Sequence, residues 1–230
     1  MNGPDYGSST FAAWRAACPD VWQAYTRHPF VRGLEDGSLH KSAFVHYLIQ
    51  DYVFLIHFGR SWALAVVKSQ TLDEMKLAAS VVDGLINHEM RLHVEVCARE
   101  GISEDQLFAA EEEMENLAYT RYVMDAGQSG DFLDMMAALA PCCLGYGEIG
   151  ARLGQNASAD TTYREWIDTY ADAEYQGLCE SIGDLIEKAT VARLGPNPQS
   201  NPRWDALSKR FAMATRLEVG FWDMGMRGAQ

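Results

Sequence analysis

Three polar side chains stand where the surrounding sequence is apolar, and together they define a chemistry. Between Phe44 and Gly59 the only formally charged residue is Asp51, flanked on the same helical face by Tyr47 and Phe54. In APCCLGYGEIG, residues 140–150, a cysteine follows Pro141 directly, and Tyr146 lies one turn beyond Cys142 on the same face. In LEVGFWDM, residues 217–224, Glu218 has Phe221 and Trp222 at i+3 and i+4. An ionised carboxylate in an apolar setting is costly unless it is paired. Each residue also has a plainer reading. Asp51 is then a core aspartate capped by a neighbour, Cys142 a buried structural thiol, and Glu218 a helix-surface glutamate beside two core aromatics. Taken as a set, a thiol and two carboxylates on three separate segments fit covalent catalysis. The thiol is the nucleophile, and the carboxyls move protons or grip a nitrogen base. Cys143 is rotated by about 100° from Cys142, so one of the two is expected to face any given pocket.

A metal centre is the competing chemistry. All six histidines (His28, His40, His46, His57, His88 and His93) lie in the first half of the chain. Glu89 and His93 have the i, i+4 spacing of two ligands on one helix face. The later segments offer Glu148 and Glu174 but no histidine, so half the ligands of a di-iron bundle are missing and the pair is read as a packing or ion-pair element.

The elements that must position these residues read as helices. Residues 30–140 and 142–195 contain no proline, and apolar residues recur at three- and four-residue spacing. Helices are expected over 41–68, from about Leu72 to Arg99 with a stop at Gly101, and over roughly 130–153, 160–190 and 203–226. Ser103 and Gln106 have capping-box spacing, Gly154 and Gly195 are placed as stops, and Ser9 or Thr10 starts a first helix interrupted at Pro19. Pro141 is expected to bend its helix and free nearby carbonyls. GPNPQSNP, residues 195–202, joins two helices, and no stretch alternates as a strand does. The expectation is one all-α domain over 1–230, a bundle of seven or eight helices with residues 1–8 flexible.

The chain has 230 residues, 48% of them hydrophobic, enough for a large core and too apolar for a disordered polypeptide. No uncharged apolar run reaches about eighteen residues, so no membrane partner is expected, and the first residues lack the pattern of a secretory signal. With 32 acidic against 19 basic residues the net charge is −13, which repels nucleic acid and anionic lipid. The five scattered cysteines form no CxxC pair, so free thiols in the cytoplasm are expected.

Several dispersed stretches then resemble one family in the same order. They are HPFVRGLEDGSL at 28–39, QDYVFLIHF at 50–58, EMRLHVEVCAREGIS at 89–103, AYT at 118–120, SGDF and ALAPCCLGYGEIG within 129–150, YREWIDTY at 163–170 and EVGFW at 218–222. Together they resemble the TenA family of thiaminase II-type aminopyrimidine aminohydrolases. The resemblance implies a heme-oxygenase-like helical bundle, a homotetramer and no cofactor or metal. It also implies hydrolysis of 4-amino-5-aminomethyl-2-methylpyrimidine to the hydroxymethyl pyrimidine and ammonia, a thiamine-salvage step, with cleavage of thiamine in some members. By position, Cys142 matches the nucleophile, Glu218 the catalytic acid, Asp51 the aspartate that binds the pyrimidine, and Tyr119, Tyr146 and Tyr170 pocket tyrosines. Phe54 stands at a substrate-binding position where the family commonly has tyrosine. Gly145 and Gly147 replace bulky family residues, and a roomier pocket or an altered substrate is expected from them. The alternatives are a non-catalytic pyrimidine-binding or regulatory member, and an iron-dependent oxygenase on the same fold.

Overall fold

A computed structural model describes residues 3–228. It is helical throughout, with no strand among the described residues. Three short helices, α1 (Ser9–Ala17), α2 (Pro19–Thr26) and α3 (Pro29–Asp36), lead into the long α4 (Lys41–Lys68). α5 (Leu72–Gly84) passes through a π-helical turn, Leu85–Glu89, into α6 (Met90–Arg99). The short α7 (Glu104–Phe108) precedes α8 (Met114–Ser129) and the central α9 (Phe132–Asn156). α10 (Arg164–Ala171), α11 (Ala173–Leu194) and α12 (Trp204–Arg227) complete the chain. α9 is surrounded by α8, α10, α11 and α12, while α4 packs on α5, α6, α8 and α12.

Local signals account for most boundaries. Ser103 and Gln106 form the expected capping box at α7, and Asp131 and Asp134 form another at α9. Gly101 and Gly195 sit at positive φ (80° and 89°) beyond α6 and α11, as the expected stops require. Pro19 opens α2 at a position where its missing N–H costs nothing.

The structure has more helical segments than the seven or eight expected. The stretch opened by Ser103 is divided after Phe108 into α7 and α8, and three further departures add the rest. The expected 160–190 helix is divided at Asp172, whose carboxylate accepts from the Glu174 N–H at 2.7 Å and so caps α11. The expected 72–99 helix is interrupted by the π-helical turn. The sequence around Pro29 makes a helix of its own, capped by the His28 ring. Gly154 is no stop; α9 continues to Asn156, and the glycine instead makes room for α10, since a Cβ there would lie 2.7 Å from that of Ala171.

α9 is long and apolar enough by length and composition to cross a membrane, but 89% of the relevant stretch is buried inside the protein, as befits its central helix. Of the N-terminal eight residues expected to be flexible, Met1 and Asn2 lie outside the described residues. The rest is seated: the Tyr6 ring is buried, its hydroxyl donates to Gln176, and Arg15 donates to the carbonyls of Gly3 and Pro4. Gly183 on α11 lets this segment approach, since a Cβ there would stand 2.0 Å from the Tyr6 carbonyl oxygen.

Candidate active site

α4, α5, the π-helical turn, α6, α9, α10 and α11 line a cavity of about 610 Å³. Asp51, Glu89, Cys142, Cys143, Tyr146 and Tyr170 supply its polar wall, and Leu55, Phe58, Leu85 and Ile182 are among its apolar lining. An apolar chamber with a few convergent polar groups is the usual form of a small-molecule site.

Asp51 is only 3% exposed, and its carboxylate is fully engaged on one oxygen. Tyr47, one turn earlier on α4, donates its hydroxyl to Oδ2 at 2.9 Å, and His93 Nε2 lies 2.6 Å from the same atom. The His93 Nδ1 faces the Glu89 carbonyl oxygen at 3.0 Å, an acceptor only, so Nδ1 carries a hydrogen and donates. With a carboxylate at the other nitrogen, His93 is held as an imidazolium. Burial pulls the His93 pKa down, but the hydrogen bond and charge of Asp51, with Glu89, outweigh it and the net shift is upward. The Tyr47 O–H is already directed at Asp51, so Tyr146 donates to the Tyr47 oxygen at 3.3 Å and continues the chain.

Cys142 is half-buried on the cavity wall, with Glu218 of α12 beside it. Burial is the main force raising the Cys142 pKa well above the ordinary thiol value, and Glu218, Cys143, Glu89 and Asp51 add to it, so the resting sulfur is a thiol. Glu218 is 2% exposed and accepts the Tyr119 hydroxyl at 2.8 Å. Burial raises its pKa to about 8; the Tyr119 and Cys142 hydrogen bonds resist that rise, and the charge of Asp51 assists it. Near neutral pH the Glu218 carboxyl therefore keeps its proton, the form a general acid needs.

The residues expected from the sequence fall into two groups. Asp51, Cys142, Tyr146 and Tyr170 line the cavity. Glu218, Tyr119 and Phe54 stand behind that lining. Phe54 packs against Phe58, Tyr119 and Phe221 at ring-centroid distances of 5.2, 5.0 and 5.3 Å. Tyr146 packs edge-on against Tyr170 at 5.0 Å.

Two expectations about α9 are corrected. Both Cys142 and Cys143 line the cavity, and so does Cys179, because the chamber extends around α9 toward α11 rather than touching one face of the helix. Gly145 and Gly147 do not widen it. A Cβ on Gly145 would meet the Tyr25 ring at 2.3 Å, and one on Gly147 would meet Cys179 Sγ and the Tyr6 hydroxyl at 2.6 Å, so neighbouring side chains already fill that space. Two carbonyls at and beyond Pro141 accept side-chain donors: Tyr25 donates to the Pro141 oxygen at 3.3 Å and Tyr175 to the Cys143 oxygen at 3.2 Å.

Glu89 and His93, read from spacing as a packing or ion-pair element, form their pairs with other helices. The Glu89 carboxylate accepts the Tyr170 hydroxyl at 2.8 Å, and His93 is bound to Asp51. Glu148 is likewise occupied, by Arg15 and the Trp22 indole N–H, each at 3.0 Å. Among the described residues no group of three His, Cys, Asp or Glu side chains is arranged to hold a metal ion. The i, i+4 spacing was a visible signal for Glu89 and His93, but it could not disclose partners on α4 and α10.

Residues 15–228 match the model of the TENA/THI-4/PQQC family. An aminopyrimidine aminohydrolase of Halalkalibacterium halodurans is 36% identical over 206 residues, covering 89% of each chain. The aminopyrimidine aminohydrolase of Bacillus subtilis is 30% identical, covering 93% of this chain and 88% of that one. Among solved structures, a TenA family transcription regulator from a Silicibacter species superposes with a TM-score of 0.94 at 53% identity, over 96% of this chain and 98% of that one.

Proposed function

Since the chain belongs to the TENA/THI-4/PQQC family, we propose that it is an aminopyrimidine aminohydrolase of thiamine salvage, with Cys142 as nucleophile and Glu218 as general acid. Aminohydrolase relatives at 30–36% identity over most of the chain support this reaction class. The observation that carries the finer reading is the Cys142 thiol on the cavity wall beside a protonated, buried Glu218.

The sequence of steps follows from that placement. Glu218 delivers its proton to a ring nitrogen of the pyrimidine, which makes the ring electrophilic, and takes up the thiol's proton as Cys142 forms a C–S bond to the ring. The ring electrons then expel the amine from the exocyclic methylene, leaving a methide. Water adds to that carbon, loses a proton and becomes the hydroxymethyl group. The C–S bond then breaks with its electron pair leaving on sulfur; Glu218 gives its proton to the sulfur and takes back the one on the ring nitrogen, which restores the aromatic ring and the thiol. Asp51, fixed by Tyr47 and His93, grips the ring's amino and nitrogen edge. Tyr146 and Tyr170 complete the walls, while Phe54 supports Tyr119 and Phe221 from behind.

A chamber of about 610 Å³ exceeds what a single aminopyrimidine ring fills, which favours thiamine cleavage at the same methylene as a second activity. The regulator description of the Silicibacter protein raises a regulatory role; a net charge of −13 disfavours direct nucleic-acid binding, and the catalytic reading accounts for the buried acid and thiol. We further propose a single-domain, cofactor-free, cytoplasmic homotetramer, for which exposed Phe108 and Met114 provide apolar contact surface.

The test is ammonia release from the aminomethyl pyrimidine by wild type and Cys142→Ser. The expected result is turnover by the wild type and a loss of at least about 10³-fold in the variant. Failure of the wild type to release ammonia overturns the reading.

A further inference from the structure

Glu89 lines the cavity, yet the steps above do not use it. It closes the π-helical turn Leu85–Glu89, which joins α5 to α6. Such a turn replaces the regular helical hydrogen-bond pattern and re-aims the side chains around it, and it is frequent at functional sites. Here both ends of Glu89 are fixed: its carboxylate accepts the Tyr170 hydroxyl at 2.8 Å, and its carbonyl accepts His93 Nδ1 at 3.0 Å. The cavity is also unbalanced in charge. Among the described lining residues, Asp51, Glu89, Glu95, Asp172 and Glu174 are set against the single formal cation Arg91.

We propose that Glu89 is the seat of the substrate's aminomethyl nitrogen, a carboxylate that holds the leaving group as an ammonium within reach of the Cys142 adduct. This inference rests on the aminopyrimidine reading above. The chemistry balances. The amine leaves only with a full complement of three N–H bonds, so that the C–N bonding pair departs on nitrogen as neutral ammonia. In the pair formed by Glu89 and the amine, one shared proton satisfies that requirement, whichever partner carries it before binding. The groups facing Glu89 are Asp51 of α4, His93 of α6, Cys142 and Cys143 of α9, Tyr170 of α10 and Tyr175 of α11. Burial raises the Glu89 pKa to about 7, with Asp51 reinforcing and His93 and Tyr170 opposing, so near neutral pH it exchanges a proton with an amine readily.

Binding in a non-turning-over background separates this role from the ring chemistry. Calorimetry at about pH 8 compares the aminomethyl and hydroxymethyl pyrimidines on Cys142→Ser and on Cys142→Ser with Glu89→Gln. The two ligands share the ring and differ in the ammonium. The expected result is that Cys142→Ser prefers the amine by at least about tenfold. Adding Glu89→Gln should abolish the preference while leaving affinity for the alcohol unchanged, and Glu89→Asp, which keeps the charge, should restore part of it. A preference that survives Glu89→Gln overturns the inference and leaves the reaction standing. So does equal weakening of both ligands, the mark of a merely structural residue. Should neither pyrimidine bind to Cys142→Ser, the aminopyrimidine reading falls and this inference with it.

Discussion

Asp51 and His93, 42 positions apart in the chain, meet at 2.6 Å in the protein interior, with His93 wholly buried and its second nitrogen bound to a carbonyl. The pair shares a proton, and it fixes the edge of Asp51 that faces the cavity. A buried pair of this kind is costly to break from one side, because the surviving charge is left uncompensated.

Asp51→Asn should therefore destabilise the protein by about 3–5 kcal/mol and release the His93 proton. His93 has a raised pKa in the folded wild type, so its contribution is fully present below about pH 6.5 and fades as pH climbs through the raised value. In Asp51→Asn the hydrogen bond and charge of Asp51 are lost, and burial, the largest influence on His93, pulls its pKa down against the weaker support of Glu89. The stability difference between the two proteins should thus be largest near pH 6 and shrink toward pH 9, as measured by urea denaturation. A pH-independent difference would show that His93 is not an imidazolium.

Glu218→Gln should inactivate the enzyme and stabilise it. The folded-state pKa of Glu218, about 8, lies above the unfolded value of about 4.5, so the folded form binds the extra proton between those limits and stability falls as pH rises through that window. Glutamine removes the titration. Its advantage in melting temperature should be small near pH 5 and grow to pH 8, while ammonia release in the wild type declines above about pH 8 as the acid loses its proton. Parallel melting curves for the two proteins across this range would refute the protonated Glu218.

Gly145→Ala and Gly177→Ala should move stability in opposite directions. A Cβ on Gly145 meets the Tyr25 ring at 2.3 Å, so overpacking there should cost about 1–3 kcal/mol. Gly177 on α11 has nothing within 4 Å, and alanine there should gain about 0.5–1 kcal/mol from helix propensity. Denaturation midpoints decide it; a stabilised Gly145→Ala would mean that Tyr25 is free to move aside.

What the sequence disclosed was chemistry out of place. Asp51, Cys142 and Glu218 could be picked out because each stands among apolar residues, and the dispersed motifs supplied an order for them. The helical class followed from spacing, as did the capping box at Ser103. Periodicity reports neighbours on one helix, however, and the partners that define these residues come from others: His93 reaches Asp51 from α6, and Tyr119 reaches Glu218 from α8. The π-helical turn has no counterpart in the apolar pattern, so Glu89 was visible only through its spacing to His93, as a packing or ion-pair element and not as part of the cavity wall. The two glycines of α9 misled for a related reason. A missing side chain signals available space, and only the fold shows that Tyr25 and Tyr6 occupy it.

The crowding around α9 has a further consequence, for how this protein can change over generations. One stretch of the helix carries the thiols and Tyr146 into the chamber, while Gly145, Gly147 and Gly150 are pressed against Tyr25, Tyr6 and the Tyr170 backbone. Few positions on it are left to vary freely. A library that samples every residue should find α9 nearly immutable, with variation collecting on exposed stretches such as that around Val67 and Leu72. New substrate preferences are then more accessible through the α5–α6 wall, where His88, Arg91 and Glu95 edge the chamber and are open to solvent, than through the helix that bears the proposed nucleophile.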